Sequence, residues 1–347
     1  GKVLSFSSIL KVAEQLNNNN TIIRQNEQSL SFAVCDLEPE DSRGVFKSIN
    51  IDIRQYKRLK MFIHAEQYKT NPVADGDLVA FLRIGTDFTE NYYQVEVPLQ
   101  ITPGGTTDPS TIWPDINSID LPLSLLSKIK AAGIANGSLQ EVTYYDEEGN
   151  EIDEFAPREL GDMRVAVKGN PSLGNIRAAM VGVKNPSSAV GDDVCGEVWF
   201  NELRLAELDN EGGWAAIAAM DLNVADFANI SATGNMSTSG FGSIDQTPNE
   251  RSREDVVGYA LNSNVNLGQL LPKNWGVQVP MNYSVSEELI TPEFDPLYQD
   301  IKLDDRLDAA TSTQEREQIR NQAEDYTKRK SIKNNQSNRI MGKIIDP

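Results

Sequence analysis

"WGVQVPMNYSV", residues Trp275 to Val285, puts Trp275, Val277, Val279, Met281, Tyr283 and Val285 on one side of an extended chain. Gly276, Gln278, Pro280, Asn282 and Ser284 fall on the other side. Such alternation fits a strand of a soluble sandwich and a stave of a membrane barrel equally well, because the pattern alone does not tell lipid from protein core. Its length meets the roughly 9–11 residues that a tilted membrane strand needs. Pro280 runs against a mid-strand position, since proline has no N–H to give to a ladder.

The neighbouring sequence repeats the pattern. "VGYALNSNVNL" alternates Val257, Tyr259, Leu261, Val265 and Leu267 against Asn262, Asn264 and Asn266, and "GQLLPKN" turns it back into the opening stretch. Upstream, "WAAIAAMDLNV" sets Trp214, Met220, Leu222 and Val224 against Asp221 and Asn223; "ADFAN" leads into Ile230, Ala232 and Met236. These are two similar hairpins with short turns. The connection between them, "TSGFGSIDQTPNERSRED", is long and charged, and an even longer polar segment follows. Short turns at one end and long loops at the other is the asymmetry of outer-membrane barrels, whose short turns face the periplasm. Polar positions in these strands hold mostly Asn, Ser, Thr and Gln. The membrane reading therefore sends Trp275, Val277, Val279, Met281 and Tyr283 to lipid and the Asn-rich side to a wet lumen, with Trp275 at one aromatic rim and Trp214, Tyr259 and Tyr283 towards the other.

Residues 1–208 carry a different texture. Leu30, Phe32 and Val34 alternate, as do Ile49, Ile51 and Ile53; Leu59, Met61 and Ile63; and Tyr93, Val95, Val97 and Leu99. "DLVAFLRIG" is apolar on both faces, as a central strand is. With "MRVAVKG", "NIRAAMVGV" and "GEVWFNELRL", joined by connections rich in Gly, Pro, Asn and Asp, the pattern predicts a jelly-roll-like β-sandwich. One helix, "LPLSLLSKIKAAG", interrupts it, and "SSILKVAEQL" predicts a short N-terminal helix through Ile9, Val12, Ala13 and Leu16. The expected organisation is thus a sandwich over 1–208, two transmembrane-type hairpins over 209–290 and a polar loop over 291–347. Within that loop residues 301–330 read as helix, opened by the capping box Ser312 and Glu315.

Composition narrows the function. Mean hydropathy is -0.41, and no stretch approaches the ~18 apolar residues of a membrane helix. With 51 acidic and 32 basic residues the net charge is -19, which repels nucleic-acid backbones. The start at Gly1 and the end at "KIIDP" suggest a piece of a longer protein. Cys35 and Cys195, the only cysteines, sit at the edges of predicted strands. They are either two buried thiols or a disulfide joining the first and last strands of the sandwich.

Little supports catalysis. His64 is the only histidine and there is no G-x-S-x-G elbow, so neither a histidine-based metal site nor a catalytic triad has its parts. "TPGGTT" reads as a turn, not a phosphate loop. The acidic clusters "DEEGNEIDE", "CDLEPED" and "GDDVCGE" lack the order of a calcium loop. No cofactor and no enzymatic activity are expected. The rival reading is a carbohydrate-binding jelly-roll module at the cell surface, for which Tyr92, Tyr93 and Trp113 are the candidate glycan contacts.

The blocks "DSRGVFKSINIDIRQYKRLKMFIHAE", "DLVAFLRIGTDFTENYYQVEVPL", "CGEVWFNELRLAELDNEGGWAA", "ADFANISATGNMSTSGFGS" and "VNLGQLLPKNWGVQVPMNYSVSEELITPEFDPL" resemble the central region of the SprA (Sov) family. These are gliding-motility proteins and outer-membrane translocons of type IX secretion in Bacteroidetes, and the blocks run over most of residues 28–300. The resemblance implies a giant barrel that passes folded cargo bearing a C-terminal sorting domain. It also implies a smaller PorV-type barrel partner, a periplasmic plug protein and outer-membrane lipid around the wall. Too few strands are present here to close a pore, so function belongs to the parent protein. The resemblance marks no catalytic residue.

Overall fold

The computed structural model of the chain describes residues 12–16, 22–26, 29–69, 71–154, 156–246, 250–334 and 337–338. It forms two compact units, Gly1–Asp209 with Tyr298–Ala309, and Asn210–Leu297 with Ala310–Pro347.

A hairpin of β1 (Val12–Leu16) and β2 (Ile22–Asn26) opens the first unit. The predicted N-terminal helix is thereby corrected: inter-strand pairing satisfies the backbone groups that a helix would have satisfied within itself. Its other residues lie outside the described ones.

The strands β3 (Leu30–Leu37), β4 (Ser42–Ile51), β5 (Tyr56–Gln67), β6 (Val79–Gly85), β7 (Tyr92–Pro98), β8 (Ile119–Pro122), β9 (Thr143–Tyr145), β10 (Glu151–Ile152), β11 (Arg164–Lys168), β12 (Ile176–Lys184) and β13 (Val194–Leu208) build two antiparallel sheets. Their orders are β10-β9-β11-β7-β6-β12-β4 and β3-β13-β5-β8. The alternating apolar residues meet in one core that includes Phe32, Ile63, Leu82, Val95, Val167 and Val198. This is the mainly β sandwich that the pattern predicts. Between the strands lie α1 (Pro109–Ile112), capped by Asp108, and α2 (Leu123–Asn136), which buries Leu123, Leu126 and Ile129 and ends at Gly137 in the left-handed region.

Strands β6 and β7 are buried on both faces, as central strands are. Away from the core their cover is polar: Arg83 donates to Gln94 at 2.6 Å, Gln94 to Glu96 at 2.7 Å and Arg164 to Glu96 at 2.6 Å. Burial pushes the Glu96 carboxyl up, but Arg164, Lys184 and Arg158 together hold it below the ordinary range. A depressed carboxylate stabilises the fold above the unfolded-state pKa of roughly 4.3, and that stabilisation is lost as pH falls through the folded value. Urea midpoints should therefore rise with pH through the acid range, and Glu96→Gln should flatten that rise. An unchanged slope in the variant would sink the assignment.

The segment expected as a polar loop returns to this unit. Asp300 is buried, accepting from Lys130 Nζ at 2.7 Å, from the Tyr93 hydroxyl at 3.3 Å and from the Leu173 backbone N–H at 3.2 Å. Ser127 donates to the Asp300 carbonyl at 3.1 Å. Ile301 and Leu303 are buried beside it, and α3 (Leu303–Ala309) follows.

In the second unit, β14 (Ala215–Val224), β15 (Ala228–Ser237), β16 (Glu254–Asn266), β18 (Pro280–Pro292) and β19 (Asp325–Asn334) form an antiparallel meander in that order. Short β17 (Val277–Gln278) pairs with β20 (Ser337–Asn338). The helix predicted over 301–330 is corrected here. After α3 only α4 (Thr313–Ala323) is helical, opened by Ser312 accepting from the Glu315 N–H; from Asp325 the chain pairs with β18 instead.

Candidate functional site

Register divides the five-stranded sheet into two chemically distinct faces. Side chains alternate along each strand, so residues paired across the ladder share a face. One register row joins Met220, Ala232, Leu261 and Val285; the next joins Leu222, Ile230, Ser263, Tyr283 and Ile332. On the opposite face a single row joins Asn223, Asn229, Asn264 and Asn282, and its neighbour joins Asp221, Ser231, Asn262 and Ser284. The sequence alternation is therefore shared by β14, β15, β16 and β18, while on β19 the Met220 row ends in Lys330 and the Asn223 row in Lys333.

Among the described residues the apolar face carries exposed side chains. Met220 is 58% exposed, Val257 49% and Leu222 47%. Both lateral edges are open as well: among the described residues β14 pairs only with β15, and β19 only with β18. Monomeric proteins in water rarely leave a contiguous apolar surface of this kind, and open strand edges carry unsatisfied backbone groups.

The opening stretch is not one straight stave. Trp275 closes a 3-10 turn, 64% exposed, with Gly276 left-handed at φ 59° behind it. Val277 lies on β17, and Val279 separates β17 from β18 while its carbonyl accepts from the Leu267 N–H at 2.9 Å. Pro280 then takes the first position of β18, a place where the missing N–H is tolerated. Met281 and Tyr283 sit on the apolar face, as read from the sequence, and the strand runs on to Pro292. Reasoning from alternation missed Glu287 on the apolar face, paired with Lys328 of β19.

Cys35 of β3 and Cys195 of β13 form a disulfide, with Cα atoms 4.0 Å apart. The candidate glycan contacts do not make an exposed platform. Tyr93 is wholly buried at Asp300, and Tyr92, pointing the other way from the same strand, is buried under the Arg83 guanidinium 4.0 Å from its ring. Trp113 is half-buried and packs 5.8 Å from the His64 ring. His64 itself is buried, its Nδ1 2.7 Å from the Ile112 carbonyl oxygen, which is a structural role. Asp146, in the longest acidic cluster, accepts from the Glu148 and Asn150 N–H groups and so shapes its own turn.

A profile of the SprA N-terminal family, described as motility related/secretion protein, matches residues 8–307. The chain belongs to this family. Among curated proteins no match is found. The profile spans both the sandwich and the sheet up to β18, so this SprA-family chain carries the two-faced sheet as part of its family-defining sequence.

Proposed function

We propose that the SprA-family chain supplies one section of the wall of an outer-membrane, protein-conducting barrel of type IX secretion, used in gliding motility, with the sandwich as a folded domain outside the membrane. The observation that carries this is the five-stranded sheet with one exposed apolar face, one amide- and hydroxyl-lined face and two open edges. A barrel answers all three: lipid covers the apolar face, water wets the other, and further strands close the edges. Strands of 10 to 13 residues reach across a membrane at a tilt. The role is that of a passive conduit without catalysis or cofactor. Its partners in this reading are the remaining barrel strands, outer-membrane lipid, a PorV-type barrel, a periplasmic plug and the secreted cargo.

Lipid contact is the deciding measurement. In the intact parent protein, photoreactive side chains at 277, 279 and 281 should react with acyl chains, and those at 278 and 282 with water. If both sets report protein or water, the wall assignment fails. Leu261→Arg should cost about 2–4 kcal/mol of barrel stability, while Asn262→Arg on the lumen face should cost little; equal costs would count against two unlike faces.

Sidedness follows from the turns. Ala225–Phe227 and the 267–279 connection lie at one end of the sheet, and the 238–253 and 293–324 connections at the other. The short-turn end belongs in the periplasm, which makes the sandwich extracellular. Protease added to intact cells should cleave within residues 29–208. Protection until the outer membrane is breached would reverse the orientation.

A further inference from the structure

Charges on the apolar face of the sheet follow a line. On β14 and β15 that face has none, from Val224 up to Ala216 and from Ala228 up to Met236, and Trp214 just before β14 extends it. On β16 the first charge towards the long-loop end is Asp255. On β18 it is Glu287, four residues short of Thr291, the register partner of Asp255. On β19 it is Lys330, the partner of Val285 and so two residues lower again. At the short-turn end the face carries no charge on any of these strands: β14 stops at Val224, level with Met281, and Asn334 lies opposite Met281 on β19.

The slope has a physical meaning. Ladder rows run perpendicular to the strands, so in a sheet whose strands tilt about 35–45° from the membrane normal, a line of constant depth crosses the rows obliquely. With strands about 4.8 Å apart and a rise of about 3.4 Å per residue, that line shifts roughly 1–1.4 residues per strand, or 3–4 residues from β14 to β18. Glu287 is in register with Ala218, and β14 stays uncharged for four more residues, to Trp214. The edge of the uncharged band thus steps down by four residues between β16 and β18 and by two more on β19; the fall of four is the total that strand tilt gives over the three steps from β14 to β18.

We propose that the acyl-chain contact of this sheet is this slanted band, and that Glu287, Lys328 and Lys330 lie beyond it among lipid headgroups of the long-loop leaflet, level with Trp214 instead of with their register partners on β14. The side chains suit that layer. Lys328 pairs with Glu287, Lys330 lies over the Tyr283 ring at 5.7 Å, and Tyr326 borders them. Aromatic rings and lysines favour the interface, where an apolar body meets a wet tip. The inference rests on the wall reading above, and depth measurements separate the two.

Nitroxides placed by Ala218→Cys and Glu287→Cys, and by Met220→Cys and Lys330→Cys, compare register partners in the parent protein in phosphatidylethanolamine–phosphatidylglycerol vesicles. Labels at 218 and 220 should collide mainly with oxygen, and those at 287 and 330 mainly with a water-soluble nickel chelate. Equal depth within both pairs overturns the slant while leaving lipid contact standing. Nickel-dominated collision at all four positions overturns both. The second pair keeps the test intact if loss of Glu287 disturbs folding.

Discussion

Replacing Asp300 by alanine should destabilise the sandwich by about 3–5 kcal/mol, because removing one partner of a buried ion pair leaves an uncompensated charge in the interior. Both side chains of the Lys130–Asp300 pair are 1% exposed, and Asp300 also collects the Tyr93 hydroxyl and the Leu173 N–H. Asparagine there would keep the shape yet lose the charge opposite Lys130. The double variant Lys130→Met with Asp300→Leu should recover much of the loss, since an apolar pair avoids the desolvation cost. Denaturant unfolding of the chain reads both. A single-variant cost below about 1 kcal/mol would mean that the pair is hydrated and does not hold the returning segment. Limited proteolysis gives a second reading: release of Tyr298–Ala309 should expose a new cleavage site in the Asp300→Ala protein alone.

What could be read from sequence divides along physical lines. The strands β14, β15, β16 and β18 were legible because their two faces differ in kind, Met, Leu and Val against Asn and Ser, so period two survives in the residue names. Strand β19 was not legible. Lys328 and Lys330 lie on one face and Arg329 and Lys333 on the other, which removes the hydrophobic contrast, while the Ser312–Glu315 cap points to a helix without saying where it stops. The helix ends at Ala323 because an open edge of β18 competes for the following residues.

Asp300 was hidden for a different reason. "YQDIKLDD" has the composition of a solvated loop, and its partners Tyr93, Lys130 and Leu173 are distant in the chain, so no local signal announces a buried ion pair. Tyr92 and Tyr93 show the same limit from the other side. Aromatic identity was visible, but whether a ring is exposed depends on what covers it, here Arg83 for one and Asp300 for the other.

Breaking the Cys35–Cys195 bond should cost the sandwich about 2–5 kcal/mol, and the chain-entropy account places it at the upper end, near 5 kcal/mol, because the bond spans 160 residues. Its position explains why the fold would feel the loss. β3 is an edge strand whose ladder, among the described residues, is with β13 alone, and that ladder shifts register beside the bond, between Val194 and Gly196. Arg43 reinforces the same corner, donating to the Cys35 carbonyl at 2.9 Å and to the Asp36 carbonyl at 2.8 Å. With the bond gone, β3 can peel from β13 starting at that irregular end. Hydrogen exchange should then accelerate first at the β3 amides, ahead of β5 and β7. The paired serine variant separates loss of the bond from the reactivity of free thiols. Protein isolated from an oxidising compartment should also resist maleimide until reductant is added. Labelling of both cysteines without reductant, or serine variants as stable as the parent, would show that β3 is held by its ladder and by Phe32 and Val34 in the core alone.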